Sequence, residues 1–128
     1  MRLLLDTHLL LWSVAASRRL PLDVREMLVD PGNAVFYSAA SIWEITIKSA
    51  LRRRDFRVDP VRLLSVLPET GFAALPVRAF HAARVADLPA HHKDPFDRLL
   101  VAQAVAEPLV LLTNDAQLER YGAQVRVV

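Results

Sequence analysis

Asp94-Pro-Phe-Asp97-Arg-Leu-Leu-Val-Ala-Gln-Ala-Val-Ala106, followed after Glu107 and Pro108 by Leu109-Val-Leu-Leu-Thr-Asn-Asp115, reads as one helix and then one strand. Asp94 suits the N-cap and Pro95 the first helical position. Asp97, Leu100, Val101 and Ala104 recur at spacings of three, four and seven, so they share one helix face. Leu109–Leu112 is a short unbroken apolar run, the pattern of a strand covered on both sides. The helix begins with a carboxylate on its apolar face, and the strand runs into another, Asp115.

The same alternation extends through the rest of the chain. Leu3–Leu5, Ala34–Tyr37, Phe72–Leu75, Leu109–Leu112 and Gln124–Val127 read as strands. Thr7–Ala16, Leu22–Val29, Ser41–Arg54, Val61–Leu67, Val77–Ala86, Pro95–Ala106 and Ala116–Arg120 read as helices. Strands separated by helices predict an α/β fold: a central parallel sheet of about five strands with helices on both faces. Pro31-Gly-Asn33 marks a turn, Gly71 and Gly122 fall where helices should end, and Asp59-Pro60 repeats the Asp94-Pro95 start signal. No linker or repeat divides residues 1–128, and one domain is expected.

Bulk properties exclude several classes. A hydrophobic fraction of 53% and a mean hydropathy of +0.24 are incompatible with a disordered chain. The net charge of +2 is too small to argue for nucleic acid by itself, although fourteen of the 16 basic residues are arginine and four of them fall within Arg52–Arg57. The absence of cysteine removes disulfides, thiolate zinc sites and cysteine nucleophiles, which suits the cytoplasm. Leu3–Leu5 and Leu9–Leu11 loosely imitate a signal peptide, but Asp6 and His8 interrupt the apolar stretch. No segment approaches the ~18 uninterrupted apolar residues of a membrane span.

Four carboxylates, Asp6, Glu44, Asp97 and Asp115, each lie where a short apolar segment meets a helix start. Taken singly, each has a structural explanation. Asp6 and Asp115 can cap helices, Ser41-Ile-Trp-Glu44 fits a capping box, Glu44 and Lys48 form an i, i+4 pair, and Asp94 needs no role beyond capping. Taken together, they converge on the carboxyl edge of a parallel sheet, where sites form. Converging ionised acids on apolar faces are costly unless a cation supplies the missing charge. An oxygen donor set without thiolates favours Mg²⁺ or Mn²⁺ over Zn²⁺. Four acids can hold two such ions, one activating a water and one stabilising a leaving oxygen, which is the chemistry of phosphodiester hydrolysis.

Other signatures are absent. Three scattered glycines form no phosphate loop, there is no Gly-x-Ser-x-Gly, and no histidine belongs to His-Glu-x-x-His. His91 and His92 are adjacent, so their side chains should point apart, and a loop or surface role is expected of both. His81 reads as a half-buried helix residue. Arg52–Arg57 is either a solvated helix end or a phosphate-backbone contact. Trp12 and Trp43 read as core or interface anchors.

Four segments together resemble the PIN-domain ribonucleases, and within them the VapC-like toxins of type II toxin–antitoxin systems. They are Leu3-Leu-Leu-Asp6-Thr-His-Leu-Leu-Leu-Trp12, Ser38-Ala-Ala-Ser-Ile-Trp-Glu44-Ile45 with Lys48, His92-Lys-Asp94-Pro-Phe-Asp97-Arg-Leu-Leu-Val-Ala-Gln-Ala104, and Leu111-Leu-Thr-Asn-Asp115. The resemblance implies a single PIN-like three-layer domain, Mg²⁺ or Mn²⁺ dependence and endonucleolytic cleavage of RNA. It carries over Asp6, Glu44, Asp97 and Asp115 as the acidic pocket, with Asp6 and Asp97 as direct metal ligands. Thr113 and Asp94 would support them, and Lys48, Arg52 and Arg53 would meet RNA. A homodimer and a small antitoxin covering the pocket are implied as well.

Three rival readings share parts of this pattern. A haloacid-dehalogenase-like phosphatase also starts with a strand ending in Asp, but it needs a second Asp where this chain has His8. A receiver-type phosphotransfer domain needs an acid at a middle strand, and the third strand here ends in Ala74-Leu-Pro76. A non-catalytic interaction module would leave the acids as caps only.

Overall fold

In the computed structural model, which describes residues 1–128 apart from the side chain of Asp55, five strands form one parallel sheet. They are β1 (Arg2–Leu5), β2 (Ala34–Ser38), β3 (Ala73–Leu75), β4 (Val110–Thr113) and β5 (Val125–Val127), in the order β3-β2-β1-β4-β5. The sequence-predicted strands agree within one or two residues. β1 is central, with Leu5 opposite Tyr37 of β2 on one side and Leu112 of β4 on the other.

Alternation along the central strands builds two cores. Leu3 and Leu5 of β1 join Leu112 in a cluster that takes in α1 (Thr7–Val14), α2 (Leu22–Val29) and α4 (Pro60–Val66) through Leu9, Val24 and Leu63. Leu4 and its register partner Leu111 point the other way, onto Leu100, Val101 and Ala104 of α6 (Pro95–Ala106). Successive side chains of a strand face opposite sides, so an unbroken Leu-Leu-Leu run serves both layers. Each fully buried leucine contributes roughly 1.5–3 kcal/mol. The helix α3 (Ala39–Ala50) feeds both cores, Ile45 into the first and Ala40 into the second, and α5 (Ala79–Arg84) packs on α6.

Several boundaries differ from the sequence reading. The helix α3 starts at Ala39, because Ser38 is its N-cap and accepts from the Ala40 N–H. Ser41-Ile-Trp-Glu44 is therefore no capping box, and Glu44 lies in the second turn. The same helix stops at Ala50, and the arginines follow in a turn and a 3-10 segment, Arg54–Phe56. Residues 116–121 form a 3-10 segment capped by Asp115 in place of an α-helix. Trp43 is 60% exposed and is not a core residue, whereas Trp12 packs partly buried against the first core. His81 is fully buried, with Nδ1 accepting from the Arg78 N–H and Nε2 on Glu107. Gly71 ends the segment before β3 with φ 79°, a left-handed conformation that glycine adopts without strain.

Candidate metal centre

Asp6 stands at the carboxyl end of the central strand, 4% exposed. It caps α1, with Oδ1 accepting from the Leu9 N–H at 2.8 Å. Its Oδ2 accepts from the Thr113 hydroxyl at 2.6 Å and from the Asn114 N–H at 3.3 Å. Thr113 Oγ1 in turn accepts from the Asp115 N–H at 3.0 Å, so one hydroxyl links the two acids. Burial pushes the Asp6 carboxyl above its usual range, opposed chiefly by the hydrogen bond from Thr113.

Glu44 is buried one layer away. Thr7 Oγ1 donates to its Oε1 at 2.6 Å and lies 3.0 Å from Ser41 Oγ, while Lys48 Nζ meets Oε2 at 2.5 Å. The Lys48 ammonium also lies 3.9 Å from Asp94 Oδ2 and over the rings of Phe56 and Phe96, at 4.9 and 5.9 Å. The i, i+4 pair expected from the sequence is thus largely removed from solvent and is held by two aromatic faces.

Asp94 caps α6, with Oδ1 accepting from the N–H groups of Phe96 and Asp97. Asp97 sits in the first turn above the buried face of Leu100, Val101 and Ala104. Its carboxyl is pushed up to about 7, first by burial and then by the charges of Asp94, Glu44 and Asp6. Asp115 caps the following 3-10 segment, with Oδ1 accepting from the Gln117 N–H at 2.9 Å.

These side chains line one cleft of about 430 Å³, together with His8, Arg53, His92 and Asn114. Five carboxylates, Asp6, Glu44, Asp94, Asp97 and Asp115, face Lys48 and Arg53 there. Arg52 is exposed, is not among the lining residues and adopts φ 56° just past α3. Hard oxygen donors in negative excess, two of them pushed toward neutrality by burial, fit Mg²⁺ or Mn²⁺.

His92 enters the same cleft, which the sequence reading did not anticipate. The two adjacent histidines do point apart: His91 packs edge-on against Tyr121, while His92 Nε2 lies 2.8 Å from Asp115 Oδ2 and 3.5 Å from Asp97 Oδ2. His92, Asp97 and Asp115 each offer an atom within 4.8 Å of the others. Thr7 and Ser41 were likewise not assigned to the site from sequence. Adjacency to Asp6 was the only available signal for Thr7, and Ser41 gave a false one, as a cap.

A family model described as PIN domain matches residues 3–124. Several toxin–antitoxin structures share the fold. VapBC2 from Rickettsia felis, solved bound to a DNA fragment from its promoter, is 15% identical with a TM-score of 0.69, over 100% of this chain and 98% of that one. VapBC-1 from nontypeable Haemophilus influenzae is 17% identical with a TM-score of 0.67, over 99% and 98%. VapBC-5 from Mycobacterium tuberculosis, of the VapBC family of toxin–antitoxin systems, is 21% identical with a TM-score of 0.61, over 99% and 97%. Among curated proteins none matches.

Proposed function

The chain belongs to the PIN domain family, and from that premise we propose that it is a Mg²⁺- or Mn²⁺-dependent endoribonuclease, the toxin of a toxin–antitoxin pair. One observation carries the reading: buried Asp6 and half-buried Asp97, both pushed toward their neutral forms, share a cleft with three further carboxylates at the carboxyl edge of the sheet. Such a cleft is stabilised by a divalent ion and then attracts the phosphate oxygens of a substrate.

Asp6 and Asp97 are the proposed direct ligands, and Glu44 and Asp115 complete the acidic set. When bound, the ion polarises the attacking water and offsets charge developing on the phosphoryl oxygens. The chain's own residues do the positioning. Thr113 and the Asn114 N–H fix Asp6, whereas Thr7 and Lys48 fix Glu44. Asp94 sets the first turn of α6 and with it the place of Asp97. Lys48, Arg52 and Arg53 are the proposed RNA contacts. Arg53 lines the cleft, Arg52 reaches the backbone from outside it, and Lys48 meets a phosphate from a position already fixed by Glu44.

The toxin–antitoxin assemblies of the similar structures support the biological half of the proposal. A small cognate antitoxin would mask the cleft, and the chain would act as a homodimer in the cytoplasm. No helix among the described residues is long and apolar enough to cross a membrane.

Purified protein should cleave RNA internally with Mg²⁺ or Mn²⁺ and stop when a chelator is added. Asp6→Asn and Asp97→Asn should each lower the rate by at least about 100-fold while the protein stays folded, as expected when transition-state charge loses its support. Undiminished cleavage in both variants, or in chelator, rules the assignment out.

A further inference from the structure

His92 is the one imidazole joined to two of the acids in the cleft, and its two nitrogens have different partners. Nδ1 accepts the backbone N–H of Asp94 at 3.0 Å. A nitrogen that accepts a hydrogen bond carries no proton, so the neutral ring must carry its proton on Nε2. That proton points at Asp115 Oδ2, 2.8 Å away, with Asp97 Oδ2 at 3.5 Å on the same side.

This hydrogen bonding decides between two roles. As a metal ligand, His92 would present the bare lone pair of Nε2 to the cleft and hold its proton on Nδ1, where it would face the Asp94 N–H, donor against donor. The backbone at the start of α6 excludes that tautomer for as long as Asp94 keeps its cap geometry. As a donor, His92 supplies an N–H between two carboxylates that otherwise repel one another. It also ties the segment after β4 to the loop before α6. We propose that His92 is a positioning residue of the metal site, donating from Nε2 to Asp115 and on toward Asp97, and that it does not ligate the ion. The proposal rests on the metal-dependent reading above, and it extends that reading to a residue outside the acidic set. A histidine hydrogen-bonded to a ligating carboxylate typically governs metal affinity 10–100-fold without touching the metal.

The test uses full-length protein and Mn²⁺ alone as the probe. Pulsed electron paramagnetic resonance of the Mn²⁺ complex should show no directly bound nitrogen. His92→Ala should weaken Mn²⁺ binding at least about 10-fold with a wild-type fold by circular dichroism, and His92→Gln, whose amide N–H reaches the position of Nε2, should recover most of that loss. A directly coordinated nitrogen in wild type overturns the proposal, and so does unchanged Mn²⁺ affinity in His92→Ala. A wild-type protein that binds no Mn²⁺ instead overturns the metal reading. The hydrogen bond is then decided by ¹⁵N spectra of the imidazole, where a proton on Nε2 whose resonance moves in Asp115→Ala supports it and a proton on Nδ1 refutes it.

Discussion

Thr113 and Asp6 are 107 residues apart in sequence, yet the threonine hydroxyl lies 2.6 Å from the aspartate Oδ2, joining the carboxyl ends of β4 and β1. The same hydroxyl oxygen accepts the Asp115 N–H. Removing it strands a buried carboxylate oxygen and a backbone donor at once.

Thr113→Val should therefore cost about 1–3 kcal/mol of stability, the range for a buried polar group left without its partner. It should also push the Asp6 carboxyl further up and weaken Mn²⁺ binding, whereas Thr113→Ser should retain both. Chemical denaturation with and without Mn²⁺ measures the two effects, and a valine variant as stable as wild type would show that the hydroxyl is dispensable.

Glu44 and Lys48 should behave as one unit. Lys48→Met leaves the buried glutamate without its counter-charge, and Glu44→Gln leaves the ammonium with only the more distant Asp94. Each single change should cost on the order of 1–3 kcal/mol, while the double change Glu44→Gln/Lys48→Met should fall within about 1 kcal/mol of wild type. Costs that simply add would show that the pair is not energetically coupled.

Asp97 gives the metal-free protein a pH dependence. With its carboxyl held up at about 7, the folded protein keeps a proton there that the unfolded chain releases near pH 4. The stabilisation is complete below the unfolded value and is lost as pH rises through about 7. The stability difference between wild type and Asp97→Asn should thus move against wild type between pH 5 and pH 8. Asp6, shifted in the same direction, remains in both proteins. Saturating Mn²⁺, which binds the ionised carboxylates, should reverse the trend at pH 8. A difference that stays flat across this range contradicts the burial assigned to Asp97.

Asp94 separates capping from charge. Asp94→Ser keeps a side-chain acceptor for the N–H groups of Phe96 and Asp97, so stability should change by only a few tenths of a kcal/mol, whereas Asp94→Ala should cost about 1 kcal/mol. If capping is its whole role, Mn²⁺ affinity in Asp94→Ser should match wild type within about threefold, roughly 0.6 kcal/mol. A larger loss, measured by isothermal titration calorimetry, makes Asp94 part of the metal's charge environment.

The parts of this molecule legible in its sequence are those governed by short-range pattern. Leu3–Leu5 and Leu109–Leu112 announced buried strands, and Asp94-Pro95 and Asp59-Pro60 marked helix starts that the structure reproduces. The acidic set was legible because each member sits at an element end, and parallel strands bring their ends to one edge. Ser38 was harder to read as a cap, since Ser41 three residues later offers the same chemistry ahead of Glu44. The choice between them is set by where β2 ends. His92 was illegible because spacing says nothing about which of two adjacent histidines faces inward. That depends on the Asp94 N–H taking Nδ1 and Asp115 waiting 23 residues further on.

The central place of β1 also fixes the order in which the molecule becomes competent. Asp6 leaves the ribosome almost at once, but the hydroxyl that holds it belongs to β4, and the carboxylate linked to it through that hydroxyl follows β4. A nascent chain can pair β1 with β2 and still have no assembled acidic edge. The site closes only when the last quarter of the polypeptide inserts beside the first strand, so a truncated or stalled product carries most of the core and none of the completed metal centre.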